Sequence, residues 1–137
     1  MDHRLGCIWA AHGPVGASGE IERGELPRAL ARLRERRQSM ASVCTGAMLL
    51  SAAGVTRDRP AVTHHVAMEA LAKEGARVVD ARVVDDGDLI AAGGVTSEID
   101  FALWFVERHF GSDLANRLAS QMEYTRVGPI WSSTSRT

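Results

Sequence analysis

The sequence is poor in cysteine: two residues, Cys7 and Cys44, in a chain of 137. Two cysteines cannot build a disulfide framework, so each is read alone. Long apolar runs are missing too. Nothing approaches the roughly eighteen residues that a membrane span requires. The opening MDHRLGCIWAAHG lacks the basic start, apolar stretch and cleavage site of a secretory signal, so cytoplasmic residence is expected. Neither sign of charge dominates. Lys and Arg number 16 against 17 Asp and Glu, a formal net charge of −1, which supplies no field to draw nucleic acid or an anionic membrane. A small neutral molecule fits better as a partner. The two cysteines and five histidines form no recognisable metal motif, and no metal is expected. No internal repeat or long low-complexity stretch appears.

What is present is enough apolar material, 45% of positions, for one compact core, so residues 1–137 are read as a single domain. Short apolar runs alternate with helix-period runs, the rhythm of an α/β sheet. LGCIWAA (5–11) reads as a buried strand ending in the loop HGPVG, and the loop extends to about Leu26. Pro27 opens a helix in which Leu30 and Leu33 share a face. The five arginines between 28 and 37 read as its solvated outer face rather than as an anion site. ASVC (41–44) is a strand that runs directly into a helix over 45–53, with Gly54 suited to the C′ position. AVTH (61–64) is a further strand, and VAMEALAKEG a helix that Gly75 stops. ARVVDARVV and LIAAGG flank DDGD (85–88), whose Asp-Gly pair signals a hairpin. Ser97 is expected to cap EIDFALWFVERHF, and DLANRLASQMEY is the next helix. Residues 125–137 are expected to form a loose tail, apart from Ile130 and Trp131.

The chemistry centres on the strand-to-helix junction at Cys44. A nucleophile elbow needs small residues two before and two after the nucleophile, and Ser42 and Gly46 stand there. A cysteine so placed meets the helix N-terminus, where the macrodipole and free N–H groups favour a thiolate and hold developing negative charge. On spacing alone, an inert core cysteine at the end of a strand is an equal reading, since cysteine is among the most buried residue types.

The local string separates the two. SVCTGAMLLSAAGVTRDRPAVTHH resembles the ThiJ/PfpI (class I glutamine-amidotransferase-like) family, in which a Cys-Thr-Gly elbow leads into a helix and then a Thr-His segment. VVDDGDLIAAGGVTSEIDFALWFVERHFG is similar to that family's closing hairpin, Gly-Gly-Val-Thr turn and final helix, so the resemblance covers about residues 6–124. It implies a flavodoxin-like three-layer α/β sandwich with a mostly parallel sheet, lacking the family's first strand and helix. A Thr directly after the cysteine, here Thr45, resembles the isonitrile-hydrating members and the amidotransferase-like domains of AraC-type regulators, whereas protease-like members place a His there. The implied activity is hydration of an isonitrile by covalent catalysis with Cys44, without metal or organic cofactor. Thr45 and the Gly13 loop would supply backbone N–H groups, and Gly13, Thr45, Gly46 and His64 would form the oxyanion and substrate site. A homodimer is implied as well.

Departures from the pattern shape the expectations. The family loop Pro-Gly-Gly-Pro-Gly is AHGPVG here, with His12 replacing a glycine, and His65 stands where a Trp commonly follows the Thr-His pair. His64 is expected to be a supporting residue rather than the base. The first strand of family members delivers an acid to the cysteine, and no such segment precedes LGCIWAA, so the chain as written is expected to be impaired. Glu20, Glu22, Glu98 and Asp100 do not match that position, and Glu98 and Asp100 read as helix-start charges. Two other readings stay open: a noncatalytic sensor or partner-binding domain, and a redox-responsive thiol protein.

Overall fold

The structure, a computed structural model, describes residues 16–135. The expected strand 5–11, with Cys7, His12 and Gly13, lies outside the described residues. Chain order is α1 (Gly16–Arg23), α2 (Glu25–Glu35), β1 (Met40–Val43), α3 (Gly46–Ala52), β2 (Pro60–Ala61), α4 (Met68–Lys73), β3 (Arg77–Val78), β4 (Val83–Asp85), β5 (Leu89–Ala92), α5 (Ser97–Phe110), α6 (Ser112–Gln121) and β6 (Ile130–Ser132).

The main sheet has the order β1-β5-β4-β6. β1 runs parallel to β5, with Met40 opposite Leu89 and Val43 opposite Ala92, and β4 runs parallel to β6, with Val83 opposite Ile130. The β4–β5 hairpin is the antiparallel exception. Its turn is the DDGD segment, where Gly87 takes φ +82° and the Asp86 N–H closes onto the Leu89 carbonyl at 2.8 Å. A separate parallel pair joins β2 to β3.

Strand alternation sorts side chains to two faces. Val84 and Ala91 meet Ala47, Met48 and Leu71 from α3 and α4, while Leu89 meets Met40, Leu50 and Val55. Leu71 is fully buried, and truncation of such a leucine to alanine typically costs about 2–5 kcal/mol. On the opposite face Asp85, 3% exposed, turns to α5. It accepts from Trp104 Nε1 at 2.8 Å and Arg108 Nη1 at 3.0 Å, and its Oδ1 also takes the Gly87 N–H at 2.9 Å. Helices therefore cover both faces, as the α/β reading requires.

Several boundaries differ from the sequence reading. Residues 16–23 are helical rather than loop: Ile21 packs against the α3/α4 core and holds the segment down. Pro27 is the third residue of α2, not the first, which is tolerated because first-turn N–H groups have no intrahelical acceptor. Gly24, at φ +73°, separates the two helices. Thr96, not Ser97, occupies the N-cap of α5. Within residues 125–137, expected as a loose tail apart from Ile130 and Trp131, the Val127 N–H bonds to Asp100 and Ile130–Ser132 extend the sheet as β6. Of the arginine run, Arg34 reaches Asp88 at 2.7 Å, while Arg28, Arg32, Arg36 and Arg37 are exposed. Arg59 joins the same turn through Asp86 and Asp88. Burial opposes its charge, yet the two carboxylates hold the guanidinium more firmly protonated than an isolated arginine.

Candidate functional site

β1 delivers Cys44 to the carboxyl end of the sheet. The ladder continues one step past Val43, with the Cys44 N–H on the Ala92 carbonyl at 3.0 Å, and then the chain turns sharply. Cys44 has φ +56°, a left-handed conformation that is uncommon for a residue with a Cβ and costs of the order of 1–3 kcal/mol. Thr45 follows in the right-handed region as N-cap of α3, and its carbonyl receives the Met48 N–H at 3.0 Å. The expected junction of strand and helix at Cys44 is therefore present, with α3 starting at Gly46. Cys44 is half-buried.

The two flanking small residues come together as the elbow geometry demands. A Cβ built on Gly46 would lie 3.8 Å from the Ser42 Cβ, an ordinary van der Waals contact. The Thr45 hydroxyl makes no capping bond, which leaves it available for other use.

The elbow is met from the other side by the 63–64 segment. Thr63, fully buried, donates its hydroxyl to the Cys44 carbonyl at 2.9 Å. Its own carbonyl lies 3.6 Å from a Cβ built on Gly93, so the Gly-Gly turn approaches closely because position 93 has no side chain. His64 caps the short 3-10 turn His65–Ala67, accepting the Val66 N–H at Nδ1 (3.3 Å), and its ring lies 4.2 Å from that of His65. Burial, followed by the neighbouring His65 charge, lowers its pKa below the ordinary 6.5. With Nδ1 accepting, a neutral His64 carries its proton on Nε2.

Beside this segment lies a cavity of about 340 Å³ whose wall includes Thr63, His65, Arg82, Gly93, Gly94 and Ser97. Thr63 and Gly93 thus belong to both the cavity wall and the surroundings of the elbow. Neither is among the site residues expected from the sequence. Thr63 had a signal, as the residue before the histidine in the Thr-His segment, but its bond to a carbonyl 19 residues away has no local signature.

The carboxylates sort plainly. Glu98 is exposed in the first turn of α5, whereas Asp100 is buried at 1% exposure and is more than a helix-start charge. It accepts from Arg82 Nε at 2.8 Å, Tyr124 at 2.9 Å and the Val127 N–H at 2.9 Å. Glu20 pairs with Arg23, and Glu22 is exposed. Gly13 lies outside the described residues. Among those residues, no group of three or more His, Cys, Asp or Glu side chains is placed to hold a metal ion, and no helix is long and apolar enough to cross a membrane.

A parallel-rich α/β sheet with a strained cysteine at a strand-to-helix elbow defines the class. The DJ-1/PfpI family model matches residues 21–108, which carry the elbow, the hairpin and most of α5, and the chain belongs to that family. It is 42% identical over 89 residues to isonitrile hydratase of Pseudomonas putida, 65% of this chain and 39% of that protein. The crystal structure of a ThiJ/PfpI family protein from Pseudomonas syringae superposes with a TM-score of 0.69 at 32% identity, covering 83% of this chain and 48% of that one. An AraC family transcriptional regulator from Pseudomonas putida gives 0.68 at 24% identity, covering 72% of this chain and 54% of that one, and shares the fold. The chain therefore spans about two fifths of the hydratase and about half of either solved structure. The flavodoxin-like α/β architecture read from the sequence is the architecture found.

Proposed function

We propose that the protein is an isonitrile hydratase-like lyase that adds water to an isonitrile and releases an N-substituted formamide. The observation that carries this reading is the left-handed Cys44 at the β1–α3 elbow, in a chain that is 42% identical to isonitrile hydratase over 89 residues. The Cys44 thiolate attacks the terminal isonitrile carbon and forms the C–S bond, and that carbon takes up a proton, giving a thioimidate. Water adds to the same carbon, the C–S bond breaks, and the thiolate is recovered as the nitrogen is protonated. The sum is R–NC plus water to R–NH–CHO, with no metal or organic cofactor consumed. The backbone N–H groups of Thr45, Gly46 and Gly13 would hold developing charge, the Thr45 hydroxyl would bind the substrate or the water, and His64 would support the substrate side. The setting proposed is cytoplasmic, as a homodimer, with a small-molecule substrate and neither nucleic acid nor membrane as partner.

The test incubates the purified protein with a panel of alkyl and aryl isonitriles and follows formamide by mass spectrometry. Formation that disappears in Cys44→Ser is expected, and formation retained in that variant removes the covalent mechanism.

The second reading is a ligand-sensing domain without turnover. It is favoured by the fold shared with the AraC family regulator and by the cavity beside Thr63. Calorimetric binding of an isonitrile or formamide by a protein that forms no product would select it.

A further inference from the structure

We infer that Thr63 is the positioning residue that holds Cys44 in its reactive left-handed conformation. The inference rests on the proposed reading of Cys44 as nucleophile and goes beyond it by assigning part of the elbow's restraint to a named hydroxyl.

At φ +56° the Cys44 carbonyl has left the line of the β1 ladder. Its short bond is from Thr63 Oγ1, at 2.9 Å, while the Ala47 N–H of the opening helical turn stands at 3.5 Å, the limit of a hydrogen bond. Thr63 is well placed to act as a fixed restraint. It is fully buried, it follows Val62 in the packed core, and its carbonyl is backed by the glycine at position 93. Branching at Cβ limits its χ1 choices, so the hydroxyl is delivered in one orientation at little further entropic loss. A hydrogen bond to a buried carbonyl is comparable in strength with the strain at a non-glycine left-handed residue. Removing the bond takes away a short restraint on that strain, so the elbow shifts toward an ordinary φ that swings Sγ away from its attack position. On this account Thr63 touches no reacting atom and acts only through the backbone of Cys44.

The experiment measures alkylation of Cys44 by iodoacetamide in the intact folded protein at a fixed pH, read from the Cys44 peptide by mass spectrometry so that Cys7 does not contribute. Thr63→Val, which keeps the shape and removes the donor, is expected to slow alkylation roughly five- to tenfold. Thr63→Ser, which returns a hydroxyl, is expected to recover the wild-type rate within about twofold. In isonitrile hydration the same Val variant should lower kcat by a similar factor, since the nucleophile is disturbed, and Thr63→Ser should restore it. A purely structural threonine would lose stability without this pattern. If Thr63→Val does not fold, Thr63→Ala is read in the same way against Thr63→Ser. A folded Val or Ala variant that alkylates at the wild-type rate, or a Ser variant as slow as Val, overturns the assignment. Failure of wild-type protein to hydrate any isonitrile would overturn the reaction proposed above, and the alkylation series would still decide the role of Thr63.

Discussion

Arg82 Nε meets Asp100 Oδ2 at 2.8 Å across a carboxylate that is 1% exposed, and the same carboxylate holds Tyr124 and the Val127 N–H. One side chain thus fastens α5 to the segment before β4 and to the chain entering β6. Asp100→Ala is expected to lower the unfolding free energy by about 3 kcal/mol, because it takes the acceptor from the Arg82 Nε–H, the Tyr124 hydroxyl and the Val127 N–H at once, leaving the guanidinium its bond to Thr96 alone. Arg82→Met should cost less, since Tyr124 and Val127 still satisfy the carboxylate. Urea denaturation of both variants checks the order, and equal losses would mean that the carboxylate is not the hub.

At position 44 the backbone itself makes a prediction. Glycine adopts φ +56° without penalty and alanine does not. Cys44→Gly is therefore expected to be more stable than Cys44→Ala by about 1 kcal/mol, the reverse of the usual order in regular structure. Thermal unfolding of the pair gives the comparison, and an alanine variant of equal or greater stability would show that the elbow relaxes freely.

Two residues further on the order inverts. Gly46 begins α3, and a Cβ there meets the Ser42 Cβ at 3.8 Å. Gly46→Ala should stabilise the protein by about 0.5 kcal/mol through loss of freedom in the unfolded chain. Gly46→Val, whose γ-carbons would press on Ser42, should instead destabilise it by about 1–3 kcal/mol. Denaturant midpoints distinguish the two.

His64 predicts a pH dependence of stability. Its folded-state pKa lies below the ordinary 6.5, through burial and then through the His65 charge. Near pH 6 the unfolded chain therefore binds more protons at this site than the folded one, so the neutral ring's contribution is present above about pH 6.5 and is lost as pH falls through the lowered value. The melting temperature should decline between pH 7.5 and 5.5, and less steeply in His64→Asn, which keeps an acceptor for the Val66 N–H and does not titrate. An unchanged slope in that variant would place the dependence elsewhere.

What could be read from the sequence was local. Asp86-Gly87 announced the hairpin because its turn chemistry is contained in two residues, and Ser42, Cys44 and Gly46 announced the elbow because steric demand at a sharp bend acts at fixed spacing. The helix 16–23 was hidden by Gly16 and Gly19, poor helix formers whose segment is held by packing of Ile21 on a core formed far along the chain. β6 offers only Ile130 and Trp131 as apolar signal, and its partner β4 is distant in sequence. Asp100 looked like an ordinary first-turn acid because its ligands come from positions 82, 124 and 127, a pattern with no period. Thr63 is the same case within the site: the residue type was visible and its partner was not.

The bond from Trp104 to Asp85 also furnishes the molecule with an optical gauge. An indole whose N–H faces a buried carboxylate emits from a different electrostatic setting than one in water, so Trp104 reports whether α5 is seated on the β4–β5 hairpin. Trp131, in β6, reports separately on the sheet edge. Replacing Trp9 together with either Trp131 or Trp104 by phenylalanine leaves a single emitter, and intrinsic fluorescence would then follow helix docking and edge-strand attachment as two distinct signals, with no label added.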